Sequence, residues 1–310
     1  MRRTSTIDVT WPGGQDAPAV YDCHARDIAT GAAGDAPSVL AEDRARVVAQ
    51  HRVILEVASD PPRATLPQLV GARAGGHLRA ALDAALPDER TAGTPLYLLL
   101  DDMAGASLVS GWSWSQWTDG WLSQAVVAAG SQVSQMAGVC IGFRPGSAAL
   151  GVEGRPRMGQ NTTRVPPLPH PGDPAGWHTL VDRGGVNFRR ARRIDVWREG
   201  GLIHIDGAFQ DSASAPDGGE RVAIHEYSLV ATADAETMTL LSVSASPGTL
   251  PYAECPAAPS NIAVLLGTPL RDLRTNVLVA LRKTAGCTHL NDALRALAEV
   301  PILALSASSG

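Results

Sequence analysis

TAGCTHLNDALRAL (residues 284–297) and TAGTPLYLLLDDM (residues 91–103) open on the same three residues and then run into apolar, helix-like segments. Where one has Cys287 and His289, the other has Thr94 and Leu96. The echo extends upstream in constant order. VILEVASDP (53–61) parallels TLLSVSASP (239–247), LVGARAGGHLRAAL (69–82) parallels LLGTPLRDLRTNV (265–277), and CHARDIATG (23–31) resembles GAFQDSASA (207–215). A fixed order of similar pieces is the signature of an internal duplication. The predicted organisation is a first copy over 1–125, a connector over 126–188 and a second copy over 189–310. The connector reading rests on GFRPGSAALGVEGRPRMGQNTTRVPPLPHPGDPAG, where glycine, proline and polar residues interrupt every periodicity.

Within the second copy, RRIDVW and LIHIDGAFQD flank Glu199-Gly200-Gly201, a hairpin signal, and VAIHEYSLVATAD and TMTLLSVSASP follow as two further strands. The apolar spacing then turns helical. Gly267 closes a short helix opened by Pro256, Thr268 and Pro269 fit the N-cap and first position of the next, which Gly286 ends, and Thr288 caps a last one with Leu290, Leu294 and Leu297 on one stripe. The expected fold class is therefore α+β, an antiparallel strand meander with helices packed on one face, in tandem.

Bulk properties narrow the function. The 310 residues carry 26 basic against 31 acidic side chains, a formal charge of -5, and no global basic field exists to hold nucleic acid or an anionic membrane. MRRTSTIDVTWPGG has no apolar h-region and no run approaches the length of a membrane span, so a cytoplasmic protein is expected. Cysteines at 23, 140, 255 and 287 are too sparse for a disulfide framework and too far apart for a CxxC pair. No GxGxxG, Walker loop, GxSxG elbow or HExxH occurs.

The chemistry-bearing candidates lie in the second copy. Cys255 and Cys287 each precede a helix start, where free N–H groups favour a thiolate, the form needed by a nucleophile or a metal ligand. His225 lies mid-strand on the face of Ala223, Tyr227 and Leu229 that the helices would cover. His225, Cys255 and Cys287 are thus the expected ligands of zinc or an iron–sulfur centre, with Glu226 and His289 as candidate acid–base residues. The strand period sends Glu226 to the face opposite His225. Buried cysteines also serve as plain small hydrophobes, and Cys140 reads as one. DSASAPDGGE, with Asp211 and Asp217, reads as turn chemistry, and the RRARR run (189–193) as a solvated strand entry. Trp112, Trp114, Trp117 and Trp121 form either a core cluster or a platform for a flat apolar ligand.

Pro251, Cys255, Gly267 and the Gly286-Cys287-Thr288-His289-Leu290 string carry a resemblance to a bacterial family known as domain of unknown function 2889, whose name implies no activity. More distantly, the order of elements is similar to the NifU and IscU iron–sulfur scaffold proteins. That resemblance implies a NifU/IscU-like unit in which His225 replaces the first scaffold cysteine, Cys255 matches the second, and Cys287 with His289 stands for the late Cys-His pair. This sequence departs by having histidine first, Cys-x-His rather than His-Cys, and no glycine before Cys255. The resulting expectation is a metal- or iron–sulfur-dependent lyase of the hydratase type acting on an apolar or aromatic small molecule, with homo-oligomers allowed. A cysteine-nucleophile enzyme and a metal scaffold protein are the alternatives.

Overall fold

A computed structural model of the chain describes residues 1–30, 36–121, 136–151 and 161–306. Alternation of side chains builds its sheet. In the strand Arg221–Asp234, Tyr227, Leu229, Ala231 and Ala233 are buried while Ser228 and Val230 are exposed, and Ser38–Gln50 buries Asp43, Ala45, Val47 and Ala49 in the same rhythm. The strands are β1 (Arg2–Thr10), β2 (Ala19–Ala29), β3 (Ser38–Gln50), β4 (Val53–Asp60), β5 (Thr163–Val165), β6 (Asn187–Glu199), β7 (Leu202–Ala213), β8 (Arg221–Asp234) and β9 (Leu240–Pro247). They form one antiparallel sheet in the order β4-β3-β2-β1-β6-β7-β8-β5, with β9 also on β8. The fold is thus a mixed one of sheet and helices, as the apolar periodicities predict.

Each meander leads into helices. After β4 come α1 (Leu78–Ala85), α2 (Pro87–Ala92) and α3 (Pro95–Val109); after β9 come α4 (Leu273–Ala280), α5 (Thr288–Arg295) and α6 (Val300–Ser306). The echoes seen in the sequence fall on matching places. Gly71 donates to the Ile54 carbonyl and Ile54 to that of Ala72, just as Gly267 and Leu240 do with Leu240 and Thr268. Both glycines sit at φ near +80° (85° and 80°), the left-handed region that a side chain would strain. Thr94 precedes α3 as Cys287 precedes α5, and the Thr94 hydroxyl accepts from the Tyr97 N–H. β1 pairs with β6 from Arg2↔Asp195 to Thr10↔Asn187, so the two meanders share one sheet. Part of the predicted 126–188 connector lies outside the described residues. Among the described residues, no helix is long and apolar enough to cross a membrane.

One face of the sheet carries two apolar cores, around Leu82, Leu99 and Phe188 in one half and around Ile205, Leu273 and Leu294 in the other. Between them lies a layer of buried charge. Asp101 of α3 pairs with Arg79, Arg274 and Arg295; Asp102 with Arg192; Asp292 of α5 with Arg79, Arg190 and Arg295; and Glu299 with Arg3 and Arg274. Gly105 of α3 leaves the room that Arg190 and Asp292 occupy, since a Cβ there would collide with both.

The opposite face is partly covered by the connector. Arg26 donates to the Ala175 carbonyl at 2.7 Å, Arg189 to that of Val181 at 2.8 Å, and His178 is buried between the Thr4 and Thr6 hydroxyls at 3.1 and 2.8 Å.

Removing one partner from the charge layer strands the others in a dry interior. Asp101→Asn leaves three guanidiniums short of a counter-charge and is expected to cost about 3–5 kcal/mol in a denaturant titration. Acid is expected to weaken the fold through His178. Burial, followed by the nearby His24, Arg26, Arg189 and Arg44, pushes its pKa down to about 2. The unfolded chain therefore takes up a proton near its ordinary value of about 6.5 while the native state does not. Each pH unit below that point costs about 1.4 kcal/mol, or about 2 kcal/mol by pH 5. Stability curves at pH 7 and 5 should show this loss, and His178→Gln, which keeps a donor and an acceptor for the two threonines, should reduce it.

Candidate metal centre

Asp211 and His225 face each other across β7 and β8, and immediately beyond them the register shifts between Asp211 and Ser212. Such a bulge re-aims side chains on the strand that carries it. α5 crosses the same strands. Its start places Cys287 beside Tyr227, and two residues later His289 lies on His225, the imidazoles stacked with centroids 3.4 Å apart and planes 16° from parallel. His225 Nδ1 is 3.3 Å and His289 Nε2 is 3.8 Å from the same Asp211 oxygen, Oδ2. Neither ring nitrogen is aligned for a hydrogen bond to that oxygen, and among the described residues neither buried nitrogen has another hydrogen-bond partner. Among the described residues, this is the one group of three His, Cys, Asp or Glu side chains whose donor atoms all lie within 4.8 Å of one another.

Its charge states are set by burial and by Arg190. The guanidinium grips Asp211 with Nε to Oδ1 at 2.8 Å and Nη2 to Oδ2 at 2.9 Å, and holds the carboxyl well below the usual carboxylate range against the opposing effect of burial. Burial lowers the pKa of His225, with Asp211 opposing, and lowers that of His289 further, reinforced by His225. The trio is one anionic carboxylate and two neutral imidazoles, the protonation states that metal ligation requires. Phe209 closes one side, with Arg190 and Arg192 over its ring at 4.9 and 5.2 Å.

The predicted residues divide between places. His225 and His289 come together. Cys255 and Cys287 do not join them and instead gather with Cys140 around the Tyr227 hydroxyl, because Tyr227, two residues further along the same face of β8, is the residue that lies against the start of α5. Cys140 arrives because the connector docks there, Ile141 donating to the Gly286 carbonyl at 2.9 Å. Glu226 points to the opposite face, accepting from Gln210 Nε2 at 3.1 Å and the Thr249 N–H at 3.2 Å, so it is held away from the imidazoles.

The expected ease of thiol ionisation is also reversed. The His289 and Leu290 N–H groups do favour a Cys287 thiolate, but burial outweighs them and raises its pKa; Cys255 is pushed up to about 12 and Cys140 to about 11, mainly by burial. The member of the trio that sequence reading missed is Asp211, read there as turn chemistry. Its one signal was the match of GAFQD to CHARD, which aligns it with Asp27, also an arginine-bound strand carboxylate.

The first half repeats this framework without the imidazoles. Arg3 grips Asp27 through two bonds of 2.6 Å, and the β2–β3 register shifts just beyond Asp27, as it does beyond Asp211. Opposite Asp27 stands Ala41, where Asp211 has His225, and Leu96 occupies the α3 place that His289 occupies in α5.

Residues 188–303 match the model of a family described as a protein of unknown function (DUF2889), a span that holds Asp211, His225, Cys255, Cys287 and His289. No curated protein and no solved structure matches the chain.

Burial and protonation make the three clustered thiols slow nucleophiles. In native protein, a thiol-reactive dye should label Cys140, Cys255 and Cys287 slowly at pH 7.5, and unfolding in guanidinium should release all of them at the rate of free cysteine.

Proposed function

We propose that the chain is a metal-dependent enzyme whose ion is held by Asp211, His225 and His289. The observation that carries this reading is the pair of stacked, buried imidazoles whose unpartnered nitrogens converge on one ionised carboxylate. Buried polar atoms without partners cost free energy, and a cation bound among these three would satisfy all of them at once. Two nitrogens and one oxygen suit zinc or ferrous iron better than an iron–sulfur cluster, which takes thiolates. Arg190 then orients Asp211 as a neighbour that does not bind the ion itself.

Three protein ligands leave at least one position open, and the ion would there polarise water or a substrate oxygen. The reaction class we favour is a lyase that adds or removes water, on an apolar or aromatic small molecule. Trp112 supports the aromatic preference, packing on Ile224, the residue before His225. On this reading the two halves are tandem NifU/IscU-like units of which the second alone holds a metal. The clustering of Cys140 with Cys255 and Cys287 favours a second reading, in which the thiols hold a soft metal or an iron–sulfur centre and the protein acts as its scaffold.

Zinc or ferrous iron should bind the metal-stripped protein with near 1:1 stoichiometry in calorimetry. His289→Leu and His225→Ala, which install the residues the first half already uses, should fold with unchanged or higher Tm and lose at least about tenfold in affinity. Retained affinity in both variants, or no binding by the wild type, would sink the proposal. Acid-labile sulfide that disappears in Cys255→Ser would establish the thiol reading instead.

A further inference from the structure

A pocket lies in the other half, lined by aromatic rings and one guanidinium. At the end of β1, Trp11 meets Trp114 edge to face, with centroids 5.8 Å apart. Together with Trp121, Tyr21 and Arg52 these rings line a cavity of about 260 Å³ beyond the C-terminal end of α3. Among the described residues, the buried Trp114 and Trp121 indole N–H groups have no hydrogen-bond partner. Indole N–H groups in protein interiors ordinarily find an acceptor.

Arg52 supplies a cation. Its Nε donates to the Ala74 carbonyl at 2.8 Å, and among the described residues no carboxylate forms an ion pair with it, although Asp16 also lines the cavity. Burial, with Arg73 close by, lowers its pKa, so the charge is held where it is not well compensated. The backbone that presents it is unusual. His51 and Arg52 form the β3–β4 turn with φ of 48° and 68°, both left-handed, whereas the β6–β7 turn meets the same need with Gly200 and Gly201. A non-glycine pair in that region is kept at a cost, and such outliers gather at ligand sites.

We infer that this pocket binds a planar aromatic carboxylate, its ring between the tryptophans and its carboxylate on Arg52. A cavity of this size holds one or two fused rings or a ring with a short acyl arm. The indole N–H groups would serve carbonyl or hydroxyl oxygens on the ligand, and the guanidinium presents a planar fork matched to a carboxylate. The pocket shares no residue with the metal centre.

The test uses cinnamate and its neutral amide, titrated by calorimetry and by tryptophan fluorescence into the full chain stripped of metal by chelation, so that the outcome does not depend on the metal reading. Saturable binding of cinnamate is expected, weaker by roughly tenfold or more for the amide and for Arg52→Gly. Arg52→Gly should also keep or raise Tm, because glycine relieves the turn, which separates lost binding from lost folding. Trp114→Phe should weaken binding and remove part of the fluorescence response. Equal binding of acid and amide, full affinity in Arg52→Gly, or no saturable response to cinnamate would each overturn the inference.

Discussion

The buried ion layer is the constraint on which the rest of the structure depends. Asp27, Arg3, Glu299, Arg274, Asp101, Arg79, Arg295, Asp292, Arg190 and Asp211 form a continuous chain of ion pairs, and Arg192 with Asp102 attaches to it through the Arg190 contact with the Asp102 carbonyl at 3.2 Å. Six carboxylates thereby face six guanidiniums. Desolvating them costs far more than an apolar layer of the same volume would, and their mutual attraction offsets that cost only when every member is in place. What such a layer supplies is registry. It fixes how α3, packed on β1, β2 and β3, and α5, packed on β7 and β8, sit relative to each other across the β1–β6 seam, where two greasy surfaces would be free to slide.

That registry reaches the proposed metal centre through Arg190. The same guanidinium binds Asp292 of α5 and Asp211 of β7, so the helix that carries His289 and the strand that carries the carboxylate are held by one group. Stacking of His289 on His225 follows from that placement. The thiols follow from it too. With His289 over His225, the start of α5 falls on Tyr227, and Cys287 is committed to the cluster with Cys140 and Cys255.

Much of this was legible in the sequence, and what was not has a physical reason. The α+β class, the Gly200-Gly201 hairpin, the left-handed Gly267 and the start of α5 all follow from local patterns of one or two turns, although the cap of α5 is Cys287 and not the expected Thr288. His225 was placed on the helix-covered face by period two alone. The partners of His225 could not be read that way, because they depend on which strand lies beside β8 and on a bulge that shifts the register. Asp211 looked like a turn residue since it stands two positions from the end of its strand. The RRARR run looked solvated, yet Arg189, Arg190 and Arg192 are buried and only Arg193 is partly exposed. The hint was compositional: 25 of the 26 basic residues are arginine, the cation suited to buried bidentate pairs, and Lys283 is the one lysine.

The two halves also act as controls for each other. If the Arg–Asp pair, the bulge and the helix start were sufficient for folding, an imidazole pair would be needed nowhere, and the first half demonstrates this with Ala41 and Leu96. Its Asp27 is consumed by Arg3, which in turn reaches Glu299. The second half holds the same frame and adds two histidines, of which His225 Nδ1 and His289 Nε2 are buried without a hydrogen-bond partner among the described residues, an arrangement that costs stability. Conversely, among the described residues only the first half's β3–β4 turn holds two successive side chains in the left-handed region, beside a tryptophan-lined cavity. Each half therefore departs from the shared frame at a different place, and both departures are unfavourable for the fold. Departures of that kind are the ones that a fold alone does not explain, and they are where binding energy from a ligand would be recovered.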